Sequence, residues 1–173
     1  RIGQAMARRA RGFEMEVRYH HPRGETAAGQ AAGAKWCATL EELLRKSDFV
    51  SLHVPLNAET RHLIDRAALR NMKESAVLVN TSRGGVVDPK ALYESLRDGV
   101  IAAAALDVTD PEPLPRDDPL LGLPNCLICP HIGSASVTTR ERMAVMAANN
   151  LIAALQGETP KHLVNPEALS RRG

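Results

Sequence analysis

The stretch Ala76-Val77-Leu78-Val79-Asn80-Thr81-Ser82-Arg83-Gly84-Gly85-Val86-Val87-Asp88-Pro89 sets a strand, a polar turn and the start of a helix in quick succession. Ala76 to Asn80 is short and nearly continuous in apolarity, as a buried parallel strand is. Asp88-Pro89 then places an N-cap acceptor before a proline at the first helical position, where a missing N–H costs nothing. Outward from this stretch the alternation repeats. Short apolar runs at Met15 to Tyr19, Phe49 to Leu52, Ile101 to Leu106 and Cys126 to Cys129 are separated by longer segments of helical period. Thr39-Leu40-Glu41-Glu42 is a capping box that opens one helix. The last helix is predicted from about Thr138 to Gln156, with Gly157 as its left-handed stop. Strands taking turns with helices are the pattern of βαβ units, and they predict an α/β fold with a parallel sheet covered on both faces.

Two segments depart from the rhythm. Val108 to Pro124 carries five of the chain's 11 prolines and keeps no period, so it is expected to be a loop. A long irregular connection in a compact domain usually has a task, such as bordering a binding cleft. At the other end, Ile2 to Arg11 has a helical pattern with no strand before it. The expected reading is a sheet whose first, central strand lies upstream of Arg1. Its absence leaves an apolar seam unpaired, so the chain alone is not expected to be a complete, stable and active protein.

At 173 residues and 44% hydrophobic content, the chain is long enough for one main domain. The formal charge is +2 and aromatics are 3%, which supplies neither a basic stripe nor stacking rings for nucleic acid. No apolar run approaches the roughly 20 residues that span a bilayer, and Arg1-Ile2-Gly3-Gln4 lacks the apolar stretch of a signal peptide. A soluble, cytoplasmic chain with no membrane partner is therefore the expectation. Cys126-Leu127-Ile128-Cys129 has the spacing of redox and zinc sites, but residues three apart on a strand point to opposite faces. No second pair completes four ligands, so Cys37, Cys126 and Cys129 read as ordinary buried thiols and no metal is expected.

Three polar residues stand where strands give way to loops: Arg83, Glu112 and His131. Ligands of parallel sheets bind at those carboxyl ends. Together the three suit the reduction of a 2-keto acid. A guanidinium matches a carboxylate in two parallel hydrogen bonds. An imidazole can give a proton to the oxygen that becomes alkoxide as hydride arrives, and a neighbouring carboxylate favours the charged imidazole. Taken singly, each keeps a plainer reading: Arg83 as a helix cap or surface pair, Glu112 as a solvated loop charge, His131 as a turn residue. His53, at another strand end without a carboxylate companion in sequence, reads as structural.

Asn80-Thr81-Ser82-Arg83-Gly84-Gly85-Val86-Val87-Asp88, Leu106-Asp107-Val108, Pro111-Glu112-Pro113 and Pro130-His131-Ile132-Gly133 together resemble the D-2-hydroxyacid dehydrogenases, in the right order and over essentially the whole chain. Leu106 to Pro115 and Met146 to Leu151 look most like glyoxylate/hydroxypyruvate reductases within that family. The resemblance implies that Arg83 binds the substrate carboxylate and keto oxygen, that His131 is the acid/base, and that Glu112 holds the histidine. It also implies a Rossmann-like, doubly wound cofactor domain over 1–135 and a C-terminal helix and tail over 136–173. Most of a flavodoxin-like substrate domain would then lie outside this chain.

In such a fold Gly3 matches the last glycine of the dinucleotide fingerprint, and Arg1 and Ile2 lie at the pyrophosphate turn. Asp107 and Gly133 border the nicotinamide, Ser134 borders the substrate, and Pro55, Thr60 and Thr81 line the adenosine side. After Met15 to Tyr19 the family's NAD-preferring members carry an acidic residue, whereas His20-His21-Pro22-Arg23 follows here. Arg23 suits the 2′-phosphate of NADPH, which is the expected cofactor, with NADH as the alternative. The expected partner is a small 2-keto acid, and the expected assembly of the intact protein is a homodimer. The alternatives are a reductase of another 2-keto acid, such as a phosphoglycerate dehydrogenase relative, and a nucleotide-sensing corepressor or scaffold of the same fold.

Overall fold

Residues 1–171 are described by a computed structural model. Its helices are α1 (Ile2–Arg11), α2 (Ala27–Ala31), α3 (Leu40–Lys46), α4 (Arg66–Arg70), α5 (Pro89–Arg97) and α6 (Val137–Leu155). Its strands are β1 (Arg18–Tyr19), β2 (Lys35–Trp36), β3 (Phe49–Leu52), β4 (Val77–Asn80), β5 (Ala103–Leu106) and β6 (Cys126–Ile128). The start signals act as their chemistry requires. Thr39 accepts from the Glu42 amide, Asp88 accepts from the Lys90 and Ala91 amides ahead of Pro89, and Gly157 turns left-handed at φ 78° beyond α6. In the capping box, Glu42 returns its bond to the Ala38 amide rather than to Thr39.

All strand pairs are parallel. β3, β4, β5 and β6 form one sheet in that order, and β1 pairs with β2 in a second, two-stranded sheet. Among the described residues the two sheets share no ladder, so β1 and β3 each present an unpaired edge. This is the parallel, helix-linked arrangement of a Rossmann-like α/β domain. The first strand is shorter than its apolar run, and β2 has no apolar run at all. Its pairing is helped by Glu16, whose carboxylate meets both Arg18 and Lys35 across the two strands. The proline-rich stretch is a loop apart from a 3₁₀ turn at Pro119–Gly122, capped by Asp118.

The faces of the four-stranded sheet differ. Val50, Leu78 and Ala104 stand in one row and Leu52, Asn80 and Leu106 in the next, all buried. All but Asn80 join Ala68 and Leu69 of α4 and Ala91, Leu92 and Leu96 of α5 in a single apolar core. The opposite face is less covered, with Phe49 at 59% and Leu127 at 63% exposure. The chain divides into two compact units, Arg1–His131 and Ile132–Gly173. The second is dominated by α6, in which no residue is buried. Among the described residues no helix is long and apolar enough to cross a membrane.

Of the three cysteines, all unbonded, only Cys37 is buried; Cys126 and Cys129 are partly exposed. The expectation of three buried thiols is corrected in this respect, because β6 lies at the sheet's edge. Burial, followed by the charge of Asp118, pushes the Cys126 thiol up to about 11. A thiol so placed is neither nucleophile nor metal ligand near neutral pH. Among the described residues no group of His, Cys, Asp and Glu could hold a metal ion. Cys126 is therefore expected to escape iodoacetamide near pH 8 in the folded full-length protein and to be alkylated in urea. Peptide mapping by mass spectrometry reads the outcome, and rapid labelling of the native thiol contradicts it.

Candidate active site

The site grows from the carboxyl ends of β4, β5 and β6, which the register sets side by side: Asn80 opposite Leu106, and Leu106 opposite Ile128. The Asp107 amide donates to the Asn80 carbonyl at 2.9 Å and the Cys129 amide to the Leu106 carbonyl at 2.8 Å, extending the ladder by one residue. Arg83 leaves from the first of these ends, Glu112 from the loop after the second, and His131 from the third.

His131 and Glu112 meet directly, with Nδ1 and Oε1 2.6 Å apart. A carboxylate only accepts, so Nδ1 carries the hydrogen and Nε2 is left to face a ligand. Both side chains are partly open to solvent, at 49% and 41%. His131 has φ 53°, an uncommon conformation for a residue with a side chain, and its amide donates back to the Cys129 carbonyl at 3.0 Å around Pro130. The peptide bonds before Pro111 and Pro113, on either side of Glu112, are both cis.

Arg83 is exposed and has extended backbone at the head of a 3₁₀ turn, Gly84–Val86. Its Nη1 donates to the Ser82 carbonyl at 2.6 Å. The next residue locks this turn to the Glu112 loop. A Cβ on Gly84 would lie 1.9 Å from the Thr109 carbonyl oxygen, so only glycine permits the approach. Thr109 in turn donates through Oγ1 to the Pro111 carbonyl at 2.8 Å. Asp110 meets Arg61 at 3.5 Å, which ties the loop after β3 to the same place. Asn80, Gly84, Asp110 and Arg61 have no role assigned from sequence. The only local signals were a polar residue closing an apolar strand and a glycine pair just after it.

The residues expected around a dinucleotide fall into two groups in the first unit. At the start of α1, the Arg1 carbonyl accepts from the Ala5 amide, and Gly3 lies against His53, where a Cβ would stand 3.3 Å from the His53 Cβ. Burial holds the His53 imidazole below the ordinary histidine range, and its Nε2 meets Ser51 Oγ at 3.0 Å, in keeping with a structural residue. Pro55 and Thr60 form one turn, Thr60 Oγ1 donating to the Pro55 carbonyl at 2.6 Å. Thr81 is exposed beyond β4 and Asp107 half-buried beyond β5.

The second group follows β1. His21 to Gly24 is a turn closed at 2.9 Å, with Arg23 exposed at its tip and the His21 ring accepting from the Arg23 amide. His20 Nδ1 lies 3.1 Å from the Cys37 carbonyl. The turn is fastened by Tyr19, whose hydroxyl accepts from the Thr26 amide at 2.8 Å. Gly133 and Ser134 belong to the second unit, in the polar turn before Ser136 caps α6.

Residues 1–133 match the family model described as D-isomer specific 2-hydroxyacid dehydrogenase, NAD binding domain. A glyoxylate reductase of Korarchaeum cryptofilum is 54% identical over 99% of this chain and 52% of its own length. The crystal structure of a Thermus thermophilus protein superposes with a TM-score of 0.87 at 51% identity, over 95% of this chain and 50% of that one. An NADPH-dependent glyoxylate/hydroxypyruvate reductase of Sinorhizobium meliloti, solved with NADP and malonate, superposes with a TM-score of 0.81 at 36% identity, over 88% and 46%. The chain thus spans about half the length of the relatives it matches.

The Gly84 contact makes its own prediction. Gly84→Ala in the full-length protein is expected to cost about 1–3 kcal/mol of stability, as a methyl forced into a filled space does, because the opposing atoms are backbone. Urea denaturation measures it, and an unchanged midpoint contradicts the close approach.

Proposed function

The chain belongs to the D-isomer-specific 2-hydroxyacid dehydrogenase family, and from that membership we propose that the full-length protein reduces glyoxylate or hydroxypyruvate to glycolate or D-glycerate with NADPH. The observation that carries the reading is the 2.6 Å contact between His131 and Glu112, which follow β6 and β5, the next two strands of the sheet after the β4 that leads to Arg83. In this reading Arg83 grips the substrate carboxylate and the keto oxygen. Glu112 fixes the ring of His131 through Nδ1. Nε2 of His131 then delivers a proton to the keto oxygen as negative charge develops there. The nicotinamide, when bound, supplies the hydride.

The chain's own residues fit a dinucleotide. The first turn of α1 approaches His53, just beyond β3, where Gly3 leaves no side chain, and the helix N-terminus at Ile2 and Gly3 would receive a pyrophosphate. Pro55, Thr60 and Thr81 would wall the adenosine side, with Asp107 beside the nicotinamide. The turn after β1 presents Arg23 and His21 where a carboxylate would otherwise grip the ribose, which favours the 2′-phosphate of NADPH over NADH. The S. meliloti relative, NADPH-dependent and bound to NADP, supports the same preference. A homodimer is proposed for the intact protein.

Steady-state assays of the full-length protein with hydroxypyruvate and NADPH test the reading. His131→Ala is expected to lower kcat by about 10² or more, and near-normal turnover would remove His131 from the reaction. Arg23→Glu is expected to raise KM for NADPH by about tenfold or more and to leave KM for NADH nearly unchanged, since only the 2′-phosphate meets the new charge. Equal effects on the two cofactors would defeat the assignment.

A further inference from the structure

Asn80 is the one residue of the β4 core row with a polar side chain, at 1% exposure. A carboxamide at such a place must find partners within the protein. Its Oδ1 accepts from the Ser82 amide at 3.0 Å and from the Ser82 hydroxyl at 2.9 Å, and its Nδ2 donates to the Arg83 carbonyl at 3.0 Å. Its backbone carbonyl meanwhile accepts from Asp107 in the neighbouring strand's extension. The side chain therefore spans the turn that leads to Arg83: it gives the Ser82 amide an acceptor and adds a second donor to the Arg83 carbonyl, which also accepts from the Val86 amide at 3.2 Å.

Few residues meet this requirement. The site needs a donor and an acceptor on one short, planar group. Aspartate has the size and the acceptor but sets a second acceptor against the Arg83 carbonyl. A leucine or valine would suit the core but take the acceptor from the Ser82 amide and leave the Arg83 carbonyl only the Val86 amide. On the far side of Arg83, Gly84 rests on the Thr109 backbone. The root of the Arg83 side chain is thus held between two fixed points, the Asn80 carboxamide and the Thr109 carbonyl.

We propose that Asn80 is a positioning residue for substrate binding: its buried carboxamide fixes the turn from which the Arg83 guanidinium reaches the substrate carboxylate. The inference rests on the assignment of Arg83 to that carboxylate. A bidentate grip depends on direction as well as charge, and a misplacement of about 1 Å can cost on the order of 10²-fold. Asn80 is therefore expected to act on the affinity for the keto acid and not on that for the cofactor.

The test compares the full-length protein with Asn80→Ala and Asn80→Asp, assayed well below their melting temperatures. KM for the 2-keto acid is expected to rise about tenfold or more in both, with a smaller change in kcat and KM for NADPH within about twofold. In an Arg83→Lys background, Asn80→Ala is expected to add less than about twofold, because the two act through one group. If Asn80→Ala does not fold, Asn80→Asp, of the same size, carries the comparison. A fall in kcat with both KM values unchanged would mean only a smaller folded fraction and would overturn the proposal, as would full additivity with Arg83→Lys. Absence of turnover in the unaltered protein would defeat the dehydrogenase reading and this inference together. Turnover with an undisturbed keto-acid KM in the variants would defeat this inference alone.

Discussion

The register of three parallel strands is the constraint on which the rest depends. Asn80, Leu106 and Ile128 end their strands abreast, and backbone strands in a sheet lie about 4.8 Å apart. Side chains launched beyond these ends come close although α5 separates Arg83 from Glu112 in sequence and the proline-rich loop separates Glu112 from His131. The amides of Asp107 and Cys129 continue the ladder past the last strand residues, one position closer to the site. The candidate site is a consequence of pairing geometry: a slip of one residue in β5 or β6 would turn the row to the other face.

The buried core and the candidate site are built from different residues. The core joins Val50, Leu78 and Leu106 to Leu69 of α4 and Leu92 of α5, all at or near full burial. The His131–Glu112 pair is half open to water, where such pairs add little to folding. Its worth lies in orientation: one nitrogen is held so that the other is directed. His131 even works against stability, since a left-handed backbone at a residue with a side chain costs on the order of 1–3 kcal/mol. Strain of this kind persists where the surroundings over-determine it, and here the Pro130 turn and the Glu112 contact do so.

Much of the fold was legible because local signals and long-range packing agree. Asp88-Pro89, Thr39 with Glu42, and Gly157 each mark a helix end by a mechanism confined to one turn of chain. The four central strands announce themselves by apolarity. β2 did not, because Lys35 and Trp36 are both exposed and pair through a charge bridge rather than burial. In the site, Arg83, Glu112 and His131 were visible as polar residues at strand ends. The parts that hold them were not: Gly84 against Thr109, Arg61 with Asp110, and Asn80 across the turn are contacts between backbones or distant segments. Nothing in residue type alone distinguishes such a glycine from one in any turn.

In the proposed reaction the guanidinium of Arg83 and the imidazole of His131, backed by Glu112, converge on one small 2-keto acid. A crystal structure of the full-length protein with NADP⁺ and oxalate, a planar dicarboxylate too small to reach elsewhere, tests it most directly. The expected result is one carboxylate of oxalate paired with Arg83, Nε2 of His131 within hydrogen-bonding distance of an oxalate oxygen, and Glu112 still on Nδ1. Oxalate held away from Arg83, or a His131 ring turned from it with the fold intact, would rule out that convergence.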